Sequence, residues 1–237
     1  MTPVVLCYHA VADGWPHRLA LPAALLERQV GSVLRRGYRG GTAAQALASS
    51  GRVLHVTFDD AFRSVEEALP ALERLGVPAT VFACTGYADD GRPLDVPELA
   101  DVARDRPGSL ATMTWDGLRA LVERGVEIGS HTVSHPHLMR LSDAELAREL
   151  RESRQRLEDE LRRPCPFLAY PYGETDGRVG AAAASAGYEA AFALGPGPRG
   201  NRFFVPRADL YARDGVLRTT VKTTPLWRFA AAARRTL

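Results

Sequence analysis

Three of the chain's six histidines, His131, His135 and His137, fall in the single stretch Gly129 to His137, which reads Gly-Ser-His-Thr-Val-Ser-His-Pro-His. The run Val126-Glu127-Ile128 before them alternates with period two and predicts a strand, and Pro136 breaks any regular element after them. His131 and His135 are therefore expected where a strand end runs into a loop. Two neutral imidazoles can hold a divalent ion but cannot balance its charge, so a carboxylate from elsewhere should complete the set. The best supplier is the pair Asp59-Asp60, at the end of the apolar run Val53 to Phe58. Each pair alone has a plainer reading, a polar strand end for the histidines and a helix N-cap for the aspartates. Both together, each at the end of a predicted strand, point to a metal site.

The elements that must position these residues alternate along the chain. Pro3 to Tyr8 reads as a buried strand with His9 at its end, where that histidine is either part of the same face or bonded to a loop. Pro22 opens a helix whose apolar positions run from Leu25 to Leu34, with Gly37 placed to stop it. Val65, Ala68, Leu69, Leu72 and Leu75 predict an amphipathic helix closed by Gly76, and Ala79 to Ala83 a strand. Tyr87 to Gly108 reads as a long loop with a helical hint at Glu98 to Arg104, forming a wall over the strand-end face. Trp115, Leu118, Leu121 and Val122 share one side of the next helix, with Trp115 expected in the core. Ser142-Asp143-Ala144-Glu145 is a capping box for a helix running to Arg163, with Leu146, Leu150, Leu157 and Leu161 as its buried stripe and its charges read as a solvated face. Phe167 to Tyr170 is expected as a strand, Asp176 to Ala186 as a small-residue helix, Ala190 to Leu194 as a strand, and Phe203 to Val205 as the last strand before a helical tail containing Trp227 and Phe229. About seven or eight strands alternating with helices predict an α/β fold, a closed or nearly closed barrel of parallel strands whose strand ends form the functional face.

The motifs resemble a known family. Thr57-Phe58-Asp59-Asp60 followed by His131-Thr132-Val133-Ser134-His135-Pro136 is similar to the first two motifs of the polysaccharide deacetylases, the NodB-like group of carbohydrate esterase family 4. The resemblance implies a distorted (β/α) barrel of about seven strands and a metal-dependent hydrolase that removes N-acetyl groups from N-acetylated sugars or glycans. It implies Asp60, His131 and His135 as ligands of a divalent metal, with Asp59 as general base. Zinc suits such a set, and cobalt, nickel or iron would fit the same ligands. A third motif, Arg-Pro-Pro-Tyr-Gly in most of the family, reads Ala169-Tyr170-Pro171-Tyr172-Gly173 here, so the arginine is absent. The resemblance still implies a substrate-binding segment at Tyr170, Pro171 and Tyr172, with the Tyr172 backbone N–H on the oxyanion. The family's C-terminal Leu-x-His is also absent, since no histidine follows His137. His9 is then the first candidate for the general acid, with a proton returned from Asp59 as its alternative, and Arg207 or Asp209 as orienting groups. Two other readings share the scaffold: a catalytically degenerate carbohydrate-binding protein, and a deacylase of a non-glycan amide.

Composition excludes several classes. At 237 residues and 25.8 kDa, with no linker-like stretch or internal repeat, the sequence is expected to form one domain over residues 1–237. The net charge is +2, Lys222 is the only lysine, and the arginines are interleaved with acids rather than clustered, which argues against a nucleic-acid surface. Cys7, Cys84 and Cys165 are widely spaced and predict reduced, buried thiols. With no leader-like start and no span-length apolar segment, the sequence reads as that of a cytoplasmic protein, with an extracellular one as the alternative if the sequence has been trimmed. No unexplained apolar stripe is left over, which predicts a monomer, although Leu226 to Ala233 could meet a partner.

Overall fold

The computed structural model describes residues 3–15, 17–106, 108–195 and 200–224. Seven parallel strands form its centre: β1 (Val4–Tyr8), β2 (Val53–Phe58), β3 (Ala79–Ala83), β4 (Glu127–Ser130), β5 (Phe167–Ala169), β6 (Ala190–Leu194) and β7 (Val205–Asp209). Each pairs in parallel with the next, and β1 pairs with both β2 and β7, which closes the sheet into a barrel. A two-residue strand, Arg39–Gly40, is attached outside β2. Around the barrel run α1 (Ala23–Leu34), α2 (Ala43–Ala48), α3 (Leu69–Leu75), α4 (Ala100–Asp105), α5 (Trp115–Glu123), α6 (Asp143–Leu161), α7 (Gly177–Ser185) and α8 (Val216–Lys222).

The period-two alternation of the strands divides the core in two. Val4, Leu6 and Tyr8 of β1 and Leu54, Val56 and Phe58 of β2 pack outward with Leu26, Val30 and Val33 of α1. Val5, Val53, Phe82, Phe167 and Phe192 pack together as a separate cluster that fills the barrel, with the Phe82 and Phe192 rings 5.5 Å apart. This alternation decides the direction of Asp59. It continues the inward row of His55 and Thr57, so its carboxylate points into the barrel mouth rather than at the helices.

Several local expectations are corrected. The last strand is Val205–Asp209, not Phe203 to Val205, so Arg207 lies within the sheet and not after it. Pro206 and two charged residues obscured this strand, because a strand whose inward positions carry polar groups shows no apolar run. The predicted helix from Val65 to Leu75 is a 3-10 stretch, Arg63–Ala68, continued by α3. The hint at Glu98 is real but short, a 3-10 turn at Pro97–Leu99 leading into α4. The capping box of α6 is complete, with Ser142 and Glu145 each satisfying the other's backbone N–H. The tail containing Trp227 and Phe229 lies outside the described residues.

Candidate active site

The carboxyl ends of the strands bring together residues from both ends of the chain. Asp59 and Asp60 follow β2, His131 and His135 follow β4, Tyr172 follows β5, His9 follows β1, and Arg207 reaches in from β7. Asp60, His131 and His135 are 3%, 1% and 8% exposed, so all three are out of bulk water. Nε2 of His131 lies 3.4 Å from Asp60 Oδ1 and Nε2 of His135 lies 3.3 Å from the same oxygen.

The hydrogen bonds fix what these atoms can be. His131 Nδ1 lies 2.8 Å from the carbonyl oxygen of Ala169, which can only accept. Nδ1 therefore carries the proton, and in a neutral ring Nε2 presents its lone pair to a carboxylate oxygen. Two lone pairs facing each other repel unless a cation, a proton or a metal, stands between them. Asp60 Oδ1 is buried without a hydrogen-bond partner, consistent with that requirement. The spacing fits a metal: in a tetrahedral site with arms of 2.0–2.1 Å, neighbouring ligand atoms are about 3.3–3.4 Å apart. Among the described residues these three form one of two groups with metal-ligand spacing. The other, Cys7, His9 and Asp59, is less suited, because Asp59 is already neutralised by Arg207 and burial pushes the Cys7 thiol well above its ordinary pKa.

Asp59 is clamped by both terminal guanidinium nitrogens of Arg207, at 2.6 and 2.8 Å, and the Cys7 thiol lies 3.4 Å from one of its oxygens. Arg207 also bonds Thr57 Oγ1, so the clamp is anchored to β2 itself. Burial pushes the Asp59 carboxyl up, but the Arg207 charge outweighs it and holds the group well below the usual carboxylate range. Asp60 is likewise driven up by burial and pulled down further by the His131 and His135 rings beside it. Burial lowers His131, yet the carboxylates of Asp59 and Asp60 prevail and its pKa is raised. For His135 burial wins and the pKa falls to about 4. His9 is partly exposed beside Asp59, its ring stacked on Tyr211 at 6.5 Å and its Nδ1 buried without a partner.

The loops that carry these groups are strained. Asp60, Ala61, Thr132, His135 and Tyr172 all have positive φ, between 47° and 74°, and the sixth such non-glycine residue among those described, Arg162, caps α6. Each left-handed non-glycine residue costs about 1 kcal/mol or more, so their concentration at one mouth marks a site built for geometry rather than stability. The turn at Asp60 explains how two adjacent aspartates serve one mouth: past the end of β2, a φ of 68° breaks the alternation that would have sent Asp60 outward.

Sequence reasoning missed Glu149. The charges of α6 are not all solvated: Glu149 is 9% exposed and its carboxylate accepts the backbone N–H groups of Val133 and Ser134, at 2.8 and 3.0 Å, and the Ser134 hydroxyl at 2.7 Å. It thus holds the loop between the two histidines. The available signal was position, since Glu149 and Ser153 fall at helical spacing within the stripe of Leu146, Leu150 and Leu157. Trp15, Tyr87, Trp115 and Tyr170 are all buried, and Tyr170 spends its hydroxyl on the Phe203 carbonyl, so its ring is not available to a sugar. Pro171 is buried too. Tyr172 remains half-buried at the mouth, edge-on to His135, stacked on His137 at 3.9 Å, with its hydroxyl donating to Glu98 of the long loop at 3.1 Å.

Fold and site together define a seven-stranded parallel barrel with Asp60, His131 and His135 at metal-ligand spacing at its carboxyl-end mouth. The family model for polysaccharide deacetylases matches residues 47–191, and the chain belongs to that family. YxkH of Bacillus subtilis (strain 168), a polysaccharide deacetylase homologue, is 22% identical over 201 residues, covering 81% of this chain and 64% of its own length. The chain thus spans slightly less than two thirds of that relative. Similar solved structures include the Streptococcus pyogenes deacetylase PplD in complex with acetate, with a TM-score of 0.77, 20% identity, and coverage of 95% of this chain and 99% of that one. IcaB from Ammonifex degensii gives a TM-score of 0.76 at 23% identity, covering 94% and 97%. A de-N-acetylase from Aggregatibacter actinomycetemcomitans gives 0.76 at 18%, covering 93% and 99%. At these identities the likeness is one of fold.

Proposed function

We propose that this chain is a divalent-metal-dependent hydrolase that removes N-acetyl groups from N-acetylated sugars of a glycan. The observation that carries the reading is the confrontation of His131 Nε2 with Asp60 Oδ1, two buried acceptors that need a cation between them. Asp60, His131 and His135 would hold the metal, and two nitrogens with one oxygen suit zinc. Once bound, such a cation polarises the acetyl carbonyl and acidifies a water at neutral pH. The amide and the acetyl group come to this reading from the family, from the de-N-acetylase fold neighbour and from the acetate held by PplD.

The chain's own residues divide the proton transfers. Asp59, kept ionised by Arg207, takes a proton from the attacking water; its low basicity suits a water that is already acidified. His9, on the opposite side of Asp59 from the ligands in sequence and close to it in space, gives a proton to the departing amine. The Tyr172 backbone N–H, presented by the left-handed turn, donates to the oxyanion. Tyr172 also offers a half-exposed aromatic ring for the sugar.

The test is acetate release from N-acetylglucosamine oligosaccharides by zinc-loaded protein. Release is expected, with a loss of roughly a hundredfold or more in Asp59→Asn and in His9→Gln. No release by loaded wild type from any such oligosaccharide would leave a binding protein on the same scaffold as the better account.

A further inference from the structure

At the amino end of the barrel, opposite the candidate site, three polar side chains from neighbouring strands form a chain. His55 of β2, Thr80 of β3 and Glu127 of β4 follow one another across the sheet, with Thr80 and Glu127 at paired positions. His55 and Thr80 are buried, and Glu127 is half-buried. His55 Nδ1 lies 2.9 Å from the Gly41 carbonyl oxygen, His55 Nε2 lies 2.9 Å from Thr80 Oγ1, and Thr80 Oγ1 lies 2.5 Å from Glu127 Oε2.

Each of these contacts needs one hydrogen between its two atoms. The Gly41 carbonyl can only accept, so Nδ1 carries a proton. Nε2 of a neutral ring is then an acceptor and takes the hydroxyl hydrogen of Thr80. Thr80 has no second hydrogen for Glu127, and an ionised carboxylate has none to give. A neutral His55 beside an ionised Glu127 thus leaves two acceptors 2.5 Å apart. The count closes only with one extra proton, on Glu127 or on His55. Burial outweighs the Gly41 hydrogen bond and holds the His55 ring down at about 4, helped by the Arg207 guanidinium beside Thr57. Glu127 goes the other way: burial pushes its carboxyl up, against a smaller pull from the Thr80 hydrogen bond. The surrounding barrel interior is apolar, with Val5, Val53, Phe82 and Phe167. Among the described residues Arg207 is the charged group that acts on the chain, and it is itself paired with Asp59.

We propose that Glu127 is a protonated carboxylic acid at neutral pH, the first donor of a pH-sensitive lock that runs through Thr80 and His55 to Gly41 and ties β2, β3 and β4 together inside the barrel. When that proton is lost, one of the three contacts becomes an opposition of two acceptors in a largely dry place. The lock then no longer holds all three strands. Two of them, β2 and β4, lead to Asp59-Asp60 and to His131, but the lock itself uses none of the proposed site residues. The inference therefore stands apart from the deacetylase reading.

Urea unfolding of the full chain and of Glu127→Gln, from about pH 5 to about pH 9, tests it. A glutamine amide donates to Thr80 without a titrating proton, so the variant keeps all three bonds at every pH. In the unfolded chain Glu127 ionises near 4.5. Its native value is raised, so the stability it adds is complete below about 4.5 and is lost as pH rises through the raised value. The folding equilibrium constant of the wild type should therefore fall against that of Glu127→Gln by about tenfold per pH unit from about 4.5 to neutrality, which makes the variant the more stable protein at about pH 8. Titration of His55 is common to both proteins and cancels. Carboxyl carbon NMR of the assigned wild type needs no variant: the Glu127 carboxyl should still be protonated at about pH 7. Three results would overturn the proposal: a stability difference that does not change with pH, one that moves in favour of the wild type as pH rises, or an ionised Glu127 at pH 7 beside a His55 imidazolium.

Discussion

At His131 a proton and the proposed metal would compete for the same lone pair. The raised pKa of this ring is the protein's own way of putting a cation between Nε2 and Asp60 when no metal is present. A metal must displace that proton, so its apparent affinity should fall as pH drops through the raised pKa, about tenfold per unit below it. His135, with a pKa of about 4, is already neutral over that range and adds nothing to the slope. Calorimetric zinc titrations in buffers of different ionisation heat should therefore find about one proton released per metal below that pKa. Affinity independent of pH, with no proton released, would contradict the assignment. At this scale the sequence was informative. Residue type and spacing marked both aspartates and both histidines, because metal chemistry needs those groups and few others. Spacing did not show which aspartate Arg207 clamps, since that follows from the inward register of Thr57 and Asp59.

Elements supply what the site residues cannot supply for themselves. Glu149 reaches from α6 to two backbone N–H groups and a hydroxyl of the loop that separates His131 from His135. Glu149→Ala would leave those donors unsatisfied in a largely dry place and release a loop that holds two left-handed residues, Thr132 and His135. A loss of about 2–4 kcal/mol in urea unfolding is expected, with a larger relative loss of zinc affinity, and Glu149→Gln should recover part of both. Unchanged zinc affinity in a destabilised Glu149→Ala variant would mean that the contact serves only the fold. This role was hidden because a helix with many charges reads as a solvated face, and one glutamate inside an apolar stripe is easily counted with the rest. Arg207 was recognised for its proximity to the last strand but placed one element too late. A polar residue facing the inside of a narrow barrel breaks the apolar pattern by which strands are found.

For the whole molecule, alternation of apolar runs with helical periodicity was enough to predict a parallel α/β barrel, and seven strands close it. Closure brings His9 of the first strand end and Arg207 of the last strand to the same carboxylate, so the site exists only in the folded barrel. The strained turns at the mouth were not legible, because only glycine announces a positive φ in sequence, and here non-glycine residues adopt it. Those turns and the closure together bring His131 and His135 of one loop to one oxygen of Asp60 on another. The most direct measurement is a calorimetric titration of zinc into chelator-treated protein, beside Asp60→Ala and His131→Ala. One site of about micromolar affinity or tighter, lost in both variants, is the expected result. No binding in the wild type, or binding that both variants retain, would contradict the metal centre and the hydrolytic function built on it.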